Sequence, residues 1–233
     1  MIELQISDWL EKKKTLYYGN RALKKINKLP QEIKDNTIIL IGPMGAGKSS
    51  TSKVLRDIRN MERISLDSKH RLSNIYKYKR RFKNFKNFEF YLTCSVLASL
   101  KKPMIIDFGS GHSIYEDKEI FELMKRVCSN FKNVFLLLPT QNSMNPDGSI
   151  DTSNNSRILS LRIQEDNGRP WEGNLNFERK VSQNNHNLRS HCNYDLATKI
   201  IYQNDRSVEQ VAIIIDNEMN KINNKEREEE NEK

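Results

Sequence analysis

The sequence predicts an α/β fold in which a five-stranded parallel sheet is flanked by helices on both faces. Three observations support this prediction: five short apolar runs recur along the chain, helix-length segments separate them, and a glycine-rich motif follows the first run. Parallel strands that are buried on both faces read as short apolar runs, and consecutive ones need a crossover of helix length. The runs are Thr37–Ile41, Arg63–Leu66, Met104–Asp107, Val134–Leu138 and Lys199–Tyr202.

The segments between and after these runs are predicted to be helices. Ser207 and Gln210 have the spacing of a capping box, in which each side chain bonds the backbone N–H of the other, so a helix should begin there. Two polar, turn-rich segments, 139–156 and 168–176, are predicted to be loops. The predicted helices are Lys48–Ile58, Phe88–Leu100, Tyr115–Phe131, Arg157–Gln164 and Ser207–Asn217.

The first 36 residues are predicted to form a helical extension of two short helices. Ser7 or Asp8 can cap the first helix, Gly19 and Asn20 should end it, and Pro30 should end the second. The last 16 residues carry six acids and four bases with few apolar anchors, which indicates a frayed helix end or a disordered tail. The predicted units are therefore an extension at 1–36, a main domain at 37–217 and a charged tail at 218–233.

Composition restricts the class of protein. The 233 residues include 39 Lys and Arg against 30 Asp and Glu, so the formal net charge is +9. No apolar run approaches the roughly 18 residues of a membrane span, and the first residues do not resemble a signal peptide. Cys94, Cys128 and Cys192 are odd in number and widely spaced, so a disulfide framework is not expected. A cytoplasmic protein with no membrane partner is the expectation.

The strongest motif is Gly42-Pro-Met-Gly-Ala-Gly-Lys-Ser49, which matches the Walker A phosphate-binding pattern in full. It follows a predicted strand and opens a predicted helix, so backbone N–H groups and the helix N-terminus can surround phosphate oxygens. Lys48 should reach the outer phosphates, and the Ser49 hydroxyl should ligate Mg²⁺. The residues expected to hold the nucleotide are Gly42, Gly45, Ala46, Gly47, Lys48, Ser49 and Ser50.

Two aspartates follow neighbouring predicted strands. Asp67 comes at the end of the second run and Asp107 at the end of the third. Magnesium-associated acids of phosphate-loop proteins lie at the carboxyl ends of strands. Asp67 is therefore expected beside Ser49 at the metal, and either aspartate could orient or deprotonate an acceptor hydroxyl.

Residues 37–215 resemble the shikimate kinase family, within the nucleoside-monophosphate-kinase-like group of P-loop kinases. The resemblance rests on the opening IILIGPMGAGKSSTSKVL, on Phe85-Lys86-x-x-Glu89, and on Gly109-Ser-Gly111 after the third strand. It implies a P-loop NTPase three-layer fold with five parallel strands, a mobile lid near 157–190, and an acceptor-binding region near 68–100. It also implies phosphoryl transfer from ATP with Mg²⁺.

The same resemblance assigns further site residues. Arg162 and Arg169 look like the nucleotide-side and lid arginines, which would close over the transferring phosphoryl group. Lys86, Gly109, Gly111 and Arg189 look like acceptor-binding positions.

Several acceptor-side positions depart from the family pattern. Lys69 stands where the second Asp of an Asp-x-Asp pair belongs, and Lys86 stands where an Arg would grip a carboxylate. The run IDFGSGHSIYED is typical of a variant branch. Since an ammonium offers only donors and lacks the guanidinium fork, shikimate is predicted to be a poor acceptor.

His112 and the basic segment leave alternatives open. His112 could hydrogen-bond the acceptor, or it could be a packing or helix-capping residue.

The segment from Lys69 to Phe88 contains eight Lys or Arg residues and no acid. Arg80 and Arg81 are predicted to form part of an anion site for a small acceptor. Cations interleaved with aromatics also suit single-stranded nucleic acid. A solvated helix face is the remaining alternative, and the position of the segment in the acceptor-binding region favours an anion site over it.

The sequence therefore predicts an ATP- and Mg²⁺-dependent P-loop kinase with a small, anionic or nucleotide-like acceptor. Two alternatives are a polynucleotide or RNA kinase, and a nucleotide-binding regulatory or defence protein with weak ATPase activity.

Overall fold

A five-stranded, all-parallel sheet organises the protein. The structure is a computed structural model, and it describes residues 2–68, 71–145, 150–165 and 174–231. The strand order is β2-β3-β1-β4-β7, which confirms the predicted fold class. The strands of this sheet are β1 (Ile38–Ile41), β2 (Glu62–Ser65), β3 (Met104–Asp107), β4 (Asn133–Leu138) and β7 (Lys199–Tyr202).

Burial follows position in the sheet. Every residue of the three central strands β3, β1 and β4 is buried, whereas the edge strands β2 and β7 are partly exposed. In register, Leu40 of β1 lies opposite Asp107 of β3 and Phe135 of β4. The carboxyl end of β3 therefore lies beside the loop that leaves β1, the edge at which α/β proteins bind ligands.

Ten helices are described. They are α1 (Ile2–Ile26), α2 (Gln31–Asn36), α3 (Lys48–Arg59), α4 (Ser73–Tyr76), α5 (Phe85–Leu97), α6 (Lys118–Cys128), α7 (Ser153–Glu165), α8 (Asn174–Arg189), α9 (Cys192–Leu196) and α10 (Val208–Asn231). The 3₁₀ turn Lys79–Arg81 lies between α4 and α5.

Side-chain caps decide where three of these helices begin. The capping box at α10 is confirmed, since Ser207 N donates to Gln210 Oε1 at 2.9 Å and Gln210 N to Ser207 Oγ at 3.3 Å. Asn84 Oδ1 accepts from Lys86 N, and Asp117 caps α6 in the same way. Because of these two caps, α5 begins three residues before the predicted start and α6 three residues after it.

The predicted break in the N-terminal extension is wrong: α1 is one helix of 25 residues that runs through Gly19 and Asn20. A Cβ on Gly19 would lie 2.6 Å from Leu123 Cδ2 and 2.6 Å from Phe90 Cε1. The glycine therefore allows α1 to pack closely against α5 and α6, and this packing outweighs its low helix propensity.

A buried carboxylate ties α1 to the beginning of α5. Glu11 is 9% exposed, and its oxygens accept from Asn84 N at 2.8 Å, Lys83 N at 3.2 Å and Asn87 Nδ2 at 3.2 Å. The free N–H groups of a helix start favour a negative charge. On the neighbouring side, Lys12 pairs with Asp117 at the start of α6.

The two predicted loops contain more structure than expected. In 139–156, β5 (Ser143–Met144) pairs antiparallel with β6 (Ile150–Asp151), and α7 already begins at Ser153. In 168–176, α8 begins at Asn174, and the preceding residues lie outside the described ones. The sequence predicted no helix at α8. α10 continues through Asn231 and so includes most of the segment predicted as a charged tail.

Among the described residues, no helix is both long and apolar enough to cross a membrane. The three cysteines are free and buried. Burial raises the pKa of the Cys94 thiol well above its ordinary value and that of Cys128 to about 12. Neither thiol is suited to act as a nucleophile.

Candidate nucleotide and acceptor sites

The glycine-rich loop between β1 and α3 has the backbone geometry that its sequence requires. Gly42, Gly45 and Gly47 all have positive φ angles, of 139°, 79° and 72°. A Cβ on Gly42 would also lie 2.7 Å from the Leu137 carbonyl oxygen of β4. Positive φ is strained for other residues, so these glycines allow the loop to turn tightly into the N-terminus of α3.

Lys48 lies under this loop rather than in solvent. Its Nζ donates to the carbonyl oxygens of Gly42 at 2.8 Å and Pro43 at 2.9 Å, and the residue is 7% exposed. The side chain of Lys48 is therefore packed against the backbone of the loop. Its ammonium holds the loop closed while it faces the same cleft as the loop amides.

A buried polar chain connects the loop to the sheet. Ser49 Oγ donates to Asp107 Oδ2 at 2.7 Å, and Arg63 Nη2 donates to the same oxygen at 2.8 Å. Asp107 is 1% exposed, and Arg63 also bonds Ser52 Oγ. Asp107, not Asp67, is thus the carboxylate bonded to the P-loop serine. Arg63 lies on β2, the neighbour of β3, and was not among the site residues predicted from the sequence.

These residues surround a cleft of about 290 Å³, the nucleotide cleft. Arg162 reaches it from α7 and donates to Gln203, whose side chain donates in turn to the Ala46 carbonyl oxygen. Arg169 lies outside the described residues. The lining residues are Met44, Gly45, Gly47, Lys48, Ser49, Ser50, Asp67, Asp107, Phe108, Ser110, Arg162 and Ile163.

The acceptor-side residues of α5 contact the glycine loop after β3. Lys86 Nζ donates to the Gly111 carbonyl oxygen at 2.7 Å and lies 2.9 Å from Glu89 Oε2. A Cβ on Gly109 would lie 2.2 Å from Asp67 Oδ1, and one on Gly111 would lie 2.8 Å from Lys86 Nζ. Burial raises the pKa of Glu89, and the nearby Lys86 opposes that rise.

His112 is buried at the centre of this group. Thr93 Oγ1 donates to the Glu89 carbonyl oxygen at 2.9 Å, so its oxygen is available to accept from His112 Nδ1, which lies 3.0 Å away. This network assigns the proton to Nδ1 and leaves Nε2 as an acceptor. Nε2 lies 3.8 Å from both Asp67 Oδ1 and Glu89 Oε1. Burial, helped by the charge of Lys86, lowers the pKa of His112 to about 3, so the ring is neutral near pH 7.

A second cleft, of about 680 Å³, opens beside this group; it is called the acceptor cleft below. The glycine loop contacts the residues of both clefts. Ser110 lines the first cleft, and Lys86 and Asn187, which line the second, donate to the carbonyl oxygens of Gly111 and Ser110. The lining residues are Asn84, Lys86, Asn87, Ile114, Tyr115, Glu116, Asp117, Ile120, Arg179, Ser182, Gln183, His186 and Asn187.

Buried asparagines hold α8 over both clefts. Asn184 accepts from Met44 N at 2.8 Å and donates to Met44 O at 3.0 Å, which joins α8 to the P-loop. Asn187 donates to the Ser110 carbonyl oxygen at 3.2 Å. The sequence analysis missed both, because an asparagine-rich segment gives no local sign of which amides are buried.

Three predicted arginines do not line either cleft. Arg189 is exposed at the end of α8, while Arg179 of the same helix lines the acceptor cleft. Arg80 and Arg81 are exposed in the 3₁₀ turn, which lies against α1 because Lys14 Nζ donates to the Arg81 carbonyl oxygen at 2.6 Å. The acceptor role of these arginines stays a prediction. Lys69 lies outside the described residues.

Within the described ranges, no group of three or more His, Cys, Asp or Glu side chains could hold a metal ion. A magnesium ion in a phosphate-loop protein needs no such group, since one or two protein oxygens suffice when phosphates and waters complete its shell.

Comparison with known proteins agrees with this geometry. No protein-family model matches the chain. A shikimate kinase of Staphylococcus aureus strain MRSA252 is 34% identical over 143 residues, which are 59% of this chain and 68% of that protein. The chain belongs to the shikimate kinase family. Members of this family are P-loop kinases, which agrees with the loop and sheet described above.

Solved structures show the same fold at low identity. The shikimate kinase of Acinetobacter baumannii, solved with shikimate, has a TM-score of 0.51 at 19% identity and covers 80% of this chain and 94% of its own. The shikimate kinase of Bacteroides thetaiotaomicron has a TM-score of 0.53 at 18% identity, with 79% and 98% covered. A gluconokinase of Sinorhizobium meliloti 1021 has a TM-score of 0.50 at 11% identity, with 81% and 94% covered.

Proposed function

We propose that the protein is an ATP- and Mg²⁺-dependent phosphotransferase whose acceptor is a small hydroxyl compound other than shikimate. The observation that carries the proposal is the hydrogen bond from Ser49 to the buried Asp107 beside the P-loop. A P-loop serine beside a strand-end aspartate is the arrangement that holds Mg²⁺ in phosphate-loop enzymes.

The donor set suits magnesium. The Ser49 hydroxyl and the Asp107 carboxylate are hard oxygen donors at one end of the nucleotide cleft. Magnesium supplies charge neutralisation on the β- and γ-phosphate oxygens when it is bound. Arg63 keeps the Asp107 carboxylate oriented towards Ser49 through its bond to Oδ2.

The chain's own cations bind the phosphates. Lys48 can exchange its bonds to the Gly42 and Pro43 carbonyls for bonds to phosphate oxygens without leaving the cleft. Arg162 lines the opposite wall. Preorganised cations of this kind stabilise charge that spreads over the transferring group.

The acceptor hydroxyl is assigned to the group around His112. Nε2 can accept a hydrogen bond from that hydroxyl, since the ring is neutral and its proton is assigned to Nδ1. Asp67 lines the nucleotide cleft and lies 3.8 Å from Nε2, so it can orient the hydroxyl or take its proton as transfer proceeds. This assigns Asp67 to the acceptor and Asp107 to the metal side.

The chemistry of the acceptor cleft supports an acceptor unlike shikimate. Lys86 is engaged by Glu89 and the Gly111 carbonyl, so its ammonium is not available as a carboxylate clamp. Side-chain amides from Asn87, Gln183 and Asn187 line the wall, beside charged side chains that include Arg179. Amides offer both donors and acceptors, which suits hydroxyl groups or a nucleoside.

The test is ADP release by the purified chain with Mg-ATP, over a panel of sugars, polyols, nucleosides, shikimate, gluconate and 5′-hydroxyl oligonucleotides. Stimulation by one hydroxyl compound, abolished in Lys48→Ala and retained in the exposed Lys53→Ala, would support the proposal. Efficient shikimate phosphorylation would contradict the acceptor assignment. ADP release that no acceptor stimulates would favour the regulatory alternative, and stimulation by oligonucleotides alone would favour a polynucleotide kinase.

A further inference from the structure

A positively charged surface with exposed aromatic rings lies outside both clefts. It consists of one edge of α1 and the segment 77–85, and it is called the cationic–aromatic face below. Its members are Lys14, Tyr17, Lys77, Tyr78, Lys79, Arg80, Arg81 and Phe85. Neither the nucleotide cleft nor the acceptor cleft includes any of them.

Side-chain contacts join most of these residues. Lys14 donates to the Arg81 carbonyl oxygen, which joins α1 to the 3₁₀ turn, and Tyr17 follows Lys14 by three residues on the same helix. The Arg81 guanidinium lies 4.6 Å from the Tyr78 ring centre, and Lys79 Nζ lies 4.9 Å from that of Phe85. Two of the three cations of the turn, Lys79 and Arg81, are thus held against aromatic rings.

The face is open to solvent and keeps its charge. Tyr17 is 63% exposed and Phe85 51%, and the cations of the turn are exposed as well. No acid occurs from residue 71 to 88. The Glu11 carboxylate of α1 is buried and accepts from the backbone N–H groups of Lys83 and Asn84 rather than from these cations.

We propose that the cationic–aromatic face binds single-stranded nucleic acid. Lys79, Arg80 and Arg81 would contact successive phosphates, and bases would stack on the exposed rings of Tyr17 and Phe85. Grooves for single strands combine these two elements, because phosphates provide charge and every base offers a flat face. The net charge of +9 favours approach of a polyanion.

The exposed rings distinguish this ligand from other polyanions. A duplex keeps its bases stacked inside, so it would use the cations and leave the rings unused. An acidic peptide would likewise use only the charges. The proposal is independent of the kinase activity, since the face shares no residue with the two clefts.

The experiment measures fluorescence anisotropy of a labelled 20-nucleotide oligothymidylate with the full chain over a range of salt concentrations. The variant Lys79→Gln/Arg80→Gln/Arg81→Gln removes the three cations of the turn. The matched control Lys24→Gln/Lys25→Gln/Lys28→Gln removes the same charge from exposed positions of α1 and its end. If three phosphate contacts are lost, the slope of log affinity against log salt should decrease by about 2 in the first variant and change little in the control.

Stacking is tested separately by Tyr17→Ala, with the exposed Ile213→Ala of α10 as the control. The tyrosine variant should weaken binding about fivefold or more without a change in salt slope, since it removes a ring but no charge. Circular dichroism confirms that each variant is folded.

Four outcomes would overturn the proposal. The first is no binding of the oligothymidylate at about 50 mM salt, where electrostatic contacts are strong, and the second is an equal loss of affinity in the two triple variants. The third is an affinity for poly-glutamate, or for a duplex of the same length, that equals the affinity for the single strand. The fourth is an unchanged affinity of Tyr17→Ala for the oligothymidylate.

Discussion

The nucleotide side and the acceptor side of this protein are built in different ways. The nucleotide side is a single loop of eight residues, Gly42 to Ser49, in which backbone geometry and two adjacent side chains supply the groups that bind phosphate. The acceptor side combines residues from α5, the glycine loop, α8 and the end of β2. A local motif can be recognised as one unit in the sequence, whereas a composite site depends on segments that are far apart in the chain. Here the P-loop pattern is complete, and the departures from the family's pattern fall on the acceptor side, at Lys86.

The largest expected effect tests the local site. Lys48→Ala should lower phosphotransfer at least about 100-fold, since it removes a preorganised cation from the transferring phosphoryl group. Its melting temperature should also fall by a few degrees, because two buried carbonyls of the loop lose their donor. Steady-state kinetics and a thermal melt check both effects, and Lys53→Ala should leave them unchanged. Wild-type turnover in Lys48→Ala would refute the assignment of this loop.

The second prediction concerns the buried pair that supports the loop from the sheet. Asp107→Asn should destabilise the fold by about 3–5 kcal/mol, because it leaves the Arg63 guanidinium without its charge partner in a largely buried place. Denaturant unfolding of Asp107→Asn, Arg63→Gln and the double variant forms a cycle. The double variant should cost clearly less than the sum of the single ones, and simple additivity would show that the two side chains do not interact.

The third prediction tests whether a change beside the acceptor side affects ATP binding on the nucleotide side. Glu11→Gln removes the negative charge that caps α5, so it should cost about 1.5–3 kcal/mol and increase amide exchange at the start of α5. ATP affinity should stay unchanged, since none of these bonds reaches the nucleotide cleft. The exposed Asp8→Asn on the same helix is the control. A loss of ATP affinity in Glu11→Gln would show that the two sides are coupled through α1.

The smallest effect is a pH dependence that arises on the acceptor side. The folded state lowers the pKa of His112 from 6.5 to about 3, so between those values the unfolded chain binds a proton that the folded chain does not. This residue therefore reduces stability as the pH falls below 6.5, by about 1–2 kcal/mol at pH 5, and contributes nothing above pH 7. Unfolding curves of wild type and His112→Asn at pH 5 and 7.5 measure it. The stability difference between the two proteins should shift in favour of the variant at pH 5, and a shift in the other direction would contradict the buried neutral ring.

The sequence was sufficient for the fold and for the phosphate loop. Two of the five predicted strands, Met104–Asp107 and Lys199–Tyr202, have the observed bounds, and the capping box at Ser207 is confirmed. These features depend on residues that are neighbours in the chain, so they can be predicted from local sequence patterns.

The predicted helix break was wrong because of a contact between distant segments. Gly19 is typical of a helix stop, but α1 continues because Phe90 and Leu123 pack against that glycine. The metal role of Asp67 stays a prediction, and the structure adds that Ser49 bonds Asp107. The acceptor role of Arg80 and Arg81 also stays a prediction, and the structure adds that their turn lies against α1.

By itself the sequence determined the parallel sheet, the P-loop and the position of the strand-end aspartates, because hydrophobic periodicity and glycine backbone geometry act over a few residues. Only the tertiary structure decided which aspartate meets Ser49, that Arg63 supports it, and that α8 places its buried amides above both clefts. The partners in these hydrogen bonds are separated by between 44 and 140 positions in the chain. Burial determines which groups pair, because a buried polar group must bond to whichever partner the fold places beside it.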